Sequence, residues 1–437
     1  KFASELAKFG VSTKADGVQR LASDLSAARV ALQLEGDGPV SSSVFQSPDD
    51  IPNYTQKLAA YLSLVKGFTE SRQNNADAAL QASVPVTDAP VGNASARDCS
   101  GCLNFCRWQD ALTGQTVYAT SARQEYAHVL LAAGILMMAD ARDKVDAILS
   151  ERLSELDETQ LKLAYQLLLH AAGVLDASLD AAEDLAMLKR VPDLADGRFP
   201  QLLAWIALTE AQELVVLRGV TREVVDFTLM AKLSMDISAR YKECQTIASR
   251  LLPYSTSTTA ERVRLYCAYK DPYYQAISTY FQGAACMLKE DARSCVQAVA
   301  NFKKAAAFFE GVVPLEKSYE SKMAANKDEK QRVALLAAVF LRSQQIISRD
   351  LDIVSHRNDS VYYEPVSKES ACNALSLVKP AAFPSVTTSD LWRDGEVANC
   401  LKPATAGPSG DAAGGQQQQQ TQSSRPREGC CSSCTIS

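Results

Sequence analysis

Histidine is scarce in this 437-residue chain, with three in all, and tryptophan is equally rare. The histidines, His128, His170 and His356, stand far apart in sequence. His128 and His170 fall in apolar helical stretches, where a histidine more often satisfies a core than serves as base or ligand, and no serine or cysteine motif pairs with them. A G-x4-G-K-S/T loop is missing, which excludes a nucleotide-hydrolysing GTPase. The net charge is −6 with no basic block, which argues against nucleic acid as a partner. The longest apolar run, 129–139, is 11 residues and stops at Asp140. That is too short to cross a bilayer and reads as a buried helix. Carboxylates such as Asp176 and Glu183 lie on polar faces and read as solvated. Together these absences point away from an enzyme.

What is present is helix. Hydrophobic residues make up 47% and charged residues 22%, an ordinary globular balance. Ser121 with Gln124 fits a capping box, and Tyr126, Val129, Leu130, Ala133 and Met137 recur at helical spacing up to about Leu149. Asp157 to Leu175 repeats the pattern, and Phe199 to Arg218 is apolar widely enough to be buried on two sides. Tyr273 to Leu288 and Ser294 to Gly311 alternate small and large residues, as facing helices of a tetratricopeptide-type hairpin do. Lys317 to Arg332 reads as a solvated helix face or loop, and Leu335 to Asp352 resumes the apolar period. Strand signals are few; Ser360 to Pro365 is a short candidate. The expected fold class is all-α, with residues 1–400 as the helical domain.

Residues 401–437 are a Pro/Gly/Gln-rich tail that cannot bury enough apolar surface to order itself. It ends in Cys434-Thr435-Ile436-Ser437, which reads as a CaaX box whose terminal serine favours farnesyl transfer to Cys434. One isoprenoid gives only marginal membrane binding, so a second signal is expected. Acylation of Cys430 or Cys431 would supply it; unmodified thiols are the plain alternative. The expected partners are therefore farnesyltransferase and, through the prenyl group, a membrane. The expected location is cytoplasmic and peripheral on endosomal or nuclear-envelope membranes. In that setting the sequons at Asn53, Asn93 and Asn358 carry little weight. The chain begins at Lys1, so the N-terminus is expected to be incomplete.

Of twelve cysteines, Cys244, Cys267, Cys286 and Cys295 sit in apolar helical stretches and behave as small hydrophobes. Cys99, Cys102 and Cys106 form a C-x2-C-x3-C cluster. Zinc would need a fourth ligand, and a redox pair would need a βαβ setting; neither is visible. No metal and no cofactor other than the covalent farnesyl is expected.

Five segments carry a family resemblance. They are Trp108-Gln109-Asp110-Ala111-Leu112-Thr113-Gly114-Gln115, Ala171-Ala172-Gly173-Val174-Leu175, Glu210-Ala211-Gln212-Glu213, Asn358-Asp359-Ser360-Val361-Tyr362 and Leu377-Val378-Lys379-Pro380. In this order they resemble the Bro-type domain family (Alix relatives). The overall layout is most similar to a member with one such domain, a short tail and a CaaX box. The resemblance implies a curved, boomerang-like helical solenoid with a tetratricopeptide-like core and a small N-terminal β-sheet, expected to be partly truncated here. It also implies a monomeric, non-catalytic adaptor that binds the amphipathic C-terminal helix of the ESCRT-III core subunit. Carried over, its apolar patch falls on Val215, Leu229 and Leu233. One extra residue in the Gly219-Val220-Thr221 turn leaves Thr228 or Met230 as substitutes for Leu229. At their spacing the three patch residues also fit a buried core. The two other readings are a prenylated helical scaffold with a different partner and a cysteine-based metal or redox protein.

Overall fold

The computed structural model describes residues 2–8, 15–33, 44–79, 103, 106–119, 121–150, 157–182, 194, 198–254, 258–323, 327–366, 372–393 and 397. All of these fall within the unit Lys1–Lys402. The expected tail, with Cys430, Cys431 and Cys434, lies outside the described residues, as do Cys99 and Cys102.

The fold is all-α, with one hairpin among the described residues. Helices α1 (Phe2–Lys8), α2 (Asp16–Ala31) and α3 (Asp50–Ala79) precede strands β1 (Arg107–Gln109) and β2 (Thr116–Tyr118). Then come α4 (Ala122–Ser150), α5 (Glu158–Ala182), α6 (Arg198–Val220), α7 (Phe227–Leu251), α8 (Thr259–Met287), α9 (Ala292–Met323) and α10 (Lys327–Arg357). From α4 onward each helix packs on the next in the chain, the stacking of a solenoid.

Two helices run through prolines that lie outside the spans read from the sequence. Helix α8 starts well before Tyr273 and passes through Pro272, and α9 passes through Pro314 into the charged stretch. An internal proline removes one backbone donor and crowds the carbonyl four residues earlier. Around Pro272 that cost is offset by burial of Tyr269, Tyr273 and Tyr274. The hairpin partners meet as small against large. Phe302 is fully buried, and a methyl group on Gly283 would stand 2.5 Å from its ring. Ser121 caps α4 by accepting the Gln124 amide at 3.2 Å.

The Trp108–Gln115 segment forms the antiparallel hairpin, with Trp108 opposite Val117. Asp110 Oδ1 accepts the Leu112 amide at 3.0 Å and the Thr113 amide at 2.7 Å, and Gly114 takes φ 69° to close the turn. Trp108 Nε1 donates to Glu125 Oε2 at 2.7 Å. Glu125, with no exposed surface, also accepts the Tyr61 hydroxyl at 2.9 Å and is ion-paired to Arg29. One buried carboxylate thereby ties α2, α3 and the hairpin to α4. The candidate strand at Ser360 to Pro365 is not one. Asn358–Tyr362 is a π-helical turn closing α10, followed by Tyr363 at φ 53°, and Asn358 Nδ2 donates to the Glu364 carbonyl at 2.9 Å.

Residues 372–393 form a strap, ending in a 3-10 turn at Asp390–Arg393, that recrosses the helices in reverse order. The Leu375 amide donates to the Lys232 carbonyl of α7 at 3.1 Å, and the Ala381 amide to Leu169 of α5 at 2.9 Å. The Ser389 amide donates to Ser63 of α3 at 3.1 Å, and Trp392 Nε1 to the Leu64 carbonyl at 2.9 Å. Glycine marks two crossings: a Cβ at Gly173 would overlap the Ala381 carbonyl, and one at Gly67 would overlap the Trp392 indole. This is why Ala171-Ala172 is followed by glycine. Gly173→Ala should displace the strap and cost about 1–3 kcal/mol. Urea unfolding would read it as a lowered midpoint; an unchanged midpoint would mean the strap contributes nothing there.

Candidate partner-binding face

Helices α6 and α7 form a hairpin whose turn brings Gly219 against Met230; a methyl group on that glycine would lie 2.5 Å from the Met230 sulfur. Asp226 caps α7, its Oδ1 accepting the Leu229 amide at 2.9 Å. These two contacts fix the register of α7. Met230 points inward with 4% exposure, Thr228 is exposed and Leu229 is half-buried at the rim. Of the three candidates for that position, Leu229 is the aliphatic one with accessible surface.

The expected patch is only partly on the surface. Val215 is half-buried and packs, like Leu229, against the core shared by α6, α7 and α8. Leu233 has no exposed surface at all. It lies on the buried stripe of α7 with Met230, Ile237, Tyr241 and Cys244, at spacings of three and four residues. Leu233 is therefore a core residue, a correction to its expected exposure. Other apolar groups are accessible nearby. Val220 and Val224 stand on the α6–α7 turn at 37% and 86% exposure, and Leu375 and Leu377 stand on the strap at 38% and 52%.

Gln212 is the residue that sequence reasoning missed. Fully buried, it grips the strap backbone at two points: Nε2 donates to the Leu375 carbonyl at 3.2 Å, and Oε1 accepts the Leu377 amide at 2.9 Å. The same Nε2 reaches the Leu233 carbonyl at 3.2 Å and Asp236 at 2.8 Å. Arg240, paired with Asp236 at 2.7 Å, adds a bond to Ser376 Oγ at 3.0 Å. A primary amide offers a donor and an acceptor side by side, so it pairs with an extended segment as a neighbouring strand would.

The flanking glutamates face α7 and α8. Glu213 accepts the Lys270 ammonium at 2.7 Å and the Tyr241 hydroxyl at 2.5 Å. Glu210 accepts the Tyr266 hydroxyl at 3.0 Å. Burial, and then the like charge of Glu213, push the Glu210 carboxyl up to about 7. Lys270 is held over the rings of Tyr266, Tyr274 and Tyr241 at 5.3, 5.5 and 5.8 Å.

The histidines are not brought together. His128 is buried and stacked on Trp108, His170 is half-buried with burial lowering its pKa, and His356 is exposed beside Ser360. Cys106 is buried in the core around α3 and α4. Among the described residues no group of three His, Cys, Asp or Glu side chains is placed to hold a metal ion. Among the described residues, again, no helix is long and apolar enough to cross a membrane.

Residues 100–398 match the family described as BRO1-like domain. A solved structure described as "Structure basis for endosomal targeting by the Bro1 domain" has a similar fold. Its TM-score is 0.54 at 14% sequence identity, over 87% of this chain and 86% of that one. No curated protein matches the chain.

Burial separates Leu233 from its neighbours in a testable way. Leu233→Asp places a carboxylate in an apolar core and should cost about 3–5 kcal/mol, with loss of cooperative melting in circular dichroism. Leu229→Asp, at the rim, should cost under about 1 kcal/mol. Equal melting of both variants would put Leu233 on the surface.

Proposed function

This chain belongs to the BRO1-like domain family, and from that premise we propose that it is a non-catalytic, farnesylated adaptor on membranes. Its α6–α7 face takes the amphipathic C-terminal helix of the ESCRT-III core subunit, in endosomal sorting or membrane remodelling and repair. In its expected layout, one such domain followed by a tail and a CaaX box, it resembles the family member called BROX. The observation that carries this reading is the family match, which spans the whole of α6, α7 and the strap. On that face Val215 and Leu229 keep accessible apolar surface at the rim of the hairpin. Helix-in-groove docking requires apolar anchors of this kind, and a few of them carry most of the energy.

The lipid is the second half of the mechanism. Farnesyl on Cys434, added by farnesyltransferase, holds the domain near a bilayer, with Cys430 or Cys431 as the site of a second, acyl signal. Tethering raises the effective concentration of a membrane-bound polymer, so a weak face suffices.

A second reading keeps the prenylated scaffold and changes its partner. It is favoured by the burial of Leu233, which withdraws one of the family's two aliphatic positions from the surface, and by the small side chain of Val215.

Two experiments test the proposal, and the first separates the two readings. Fluorescent C-terminal helix peptides from the ESCRT-III core subunit should bind the purified chain saturably in the micromolar range, about −8 kcal/mol. Leu229→Asp should weaken that binding at least about tenfold while the circular dichroism is kept; folded wild type that does not bind would move the assignment to the second reading. In cells, Cys434→Ser should lower the membrane-bound share several-fold. An unchanged share would remove the lipid from the mechanism.

A further inference from the structure

The acidic and aromatic cluster behind the E-A-Q-E segment is not used by the α6–α7 face. Tyr266 and Tyr269 of α8 and Tyr319 of α9 stand ring against ring, with centroids 5.1 to 5.8 Å apart. Three carboxylates surround them: Glu210 and Glu213 of α6 and Glu316 of α9. The cation inside the cluster, Lys270, is already committed to Glu213. Arg142 of α4 is exposed and is the weakest of the influences on Glu210, and beside Glu316 the cation Lys317 is set against a further carboxylate, Glu320. Negative charge is thus in excess at a place where burial makes that costly.

One group points to a missing partner. The Tyr269 hydroxyl is buried, its residue 1% exposed, and makes no hydrogen bond. It sits under the electrostatic influence of Tyr319, Glu213, Glu316 and Glu210. Tyr266 and Tyr319, whose rings meet its own, are partly exposed, as are Glu210 and Glu316. A floor hydroxyl with acceptor capacity, ring faces and surplus carboxylates is the chemistry that receives a guanidinium or ammonium group.

We infer that this cluster is a docking pocket for one arginine or lysine side chain of a partner protein segment, taken beside Glu210 over the Tyr266 and Tyr319 rings. The pocket is separate from the Val215–Leu229 face and does not depend on what that face binds. It also has a pH sense. Glu210, held up to about 7, is neutral below that value and ionised above it, so cation binding is strongest on the alkaline side and fades on acidification. The tyrosine hydroxyls of Tyr241, Tyr266, Tyr269 and Tyr274, all pushed well above their usual range by burial, stay neutral throughout. Burial also raises Glu316, which works in the same direction as Glu210.

The test is a titration of the full chain with N-acetyl-arginine methylamide and N-acetyl-lysine methylamide, followed by tyrosine fluorescence and side-chain NMR. The expected result is saturable binding at about pH 8 that weakens roughly tenfold at about pH 6 and in Glu210→Gln, which keeps the size of the side chain. Leu229→Asp should bind the probes as wild type does. Circular dichroism checks the fold of each variant, and the wild-type pH comparison decides the matter if Glu210→Gln fails to fold. Absence of saturable binding, or binding indifferent to both Glu210→Gln and pH, would overturn the pocket.

Discussion

A row of helices packed chiefly on their chain neighbours has few contacts between distant members, and the strap adds to them. Its twenty-two residues, 372–393, bond to α7, α6, α5 and α3 in turn. In a stack held by nearest-neighbour interfaces alone, each interface opens nearly independently of the rest. A segment running across four helices couples those openings, because releasing any one of them strains the strap at the others. The bonds are made mostly by backbone, so the requirement falls on the surfaces crossed. Those surfaces need a glycine where the strap touches down, at Gly67 and Gly173, and an amide where it must be paired, at Gln212.

The buried polar residues follow the same logic of position over strength. Glu125 collects Trp108, Tyr61 and Arg29, which lie on different elements, and so fixes how the hairpin and α2 dock on α4. Glu213 collects Lys270 and Tyr241 and fixes the rotation of α6 against α7 and α8. Desolvating such charges absorbs most of what their attraction returns. Their contribution is that any other packing would leave a charge unpaired in the interior.

Much of this could be read from the chain, for identifiable reasons. Helix identity was legible because the apolar period is strong from Tyr126 onward, and the α8–α9 pairing because alanines and aromatics alternate along both helices. Helix length was not, since Pro272 and Pro314 look like ends until the buried tyrosines and the length of α9 are known. The hairpin at Trp108 was hidden because three-residue strands carry too few positions for a period of two. Leu233 was misplaced on the surface because spacing alone does not give the rotation of a helix. That rotation depends on Gly219 meeting Met230, a contact between residues on different helices. The sign that Gln212 mattered was present, as a polar side chain among apolar ones on α6, but its partner lies more than 160 residues away.

Helix α6 brings these strands together, since consecutive residues of one short motif serve three different ends. Ala211 is buried in the core, Gln212 holds the strap, and Glu210 and Glu213 face the tyrosines of α7 and α8. Two residues beyond, Val215 reaches the rim of the proposed docking face. Any shift of α6 along or about its axis would therefore be felt at once by the strap, the ion pair and the rim. A face whose anchors are only half exposed binds weakly by itself, because little apolar area is removed from water. It binds reproducibly only if its backbone is held still, so that no ordering cost is added on association. The clamp at Gln212 and the ion pair at Glu213 provide that rigidity from either side of the helix. Polar residues in the interior of α6 and a modest apolar rim are thus parts of one arrangement, with the first making the second usable.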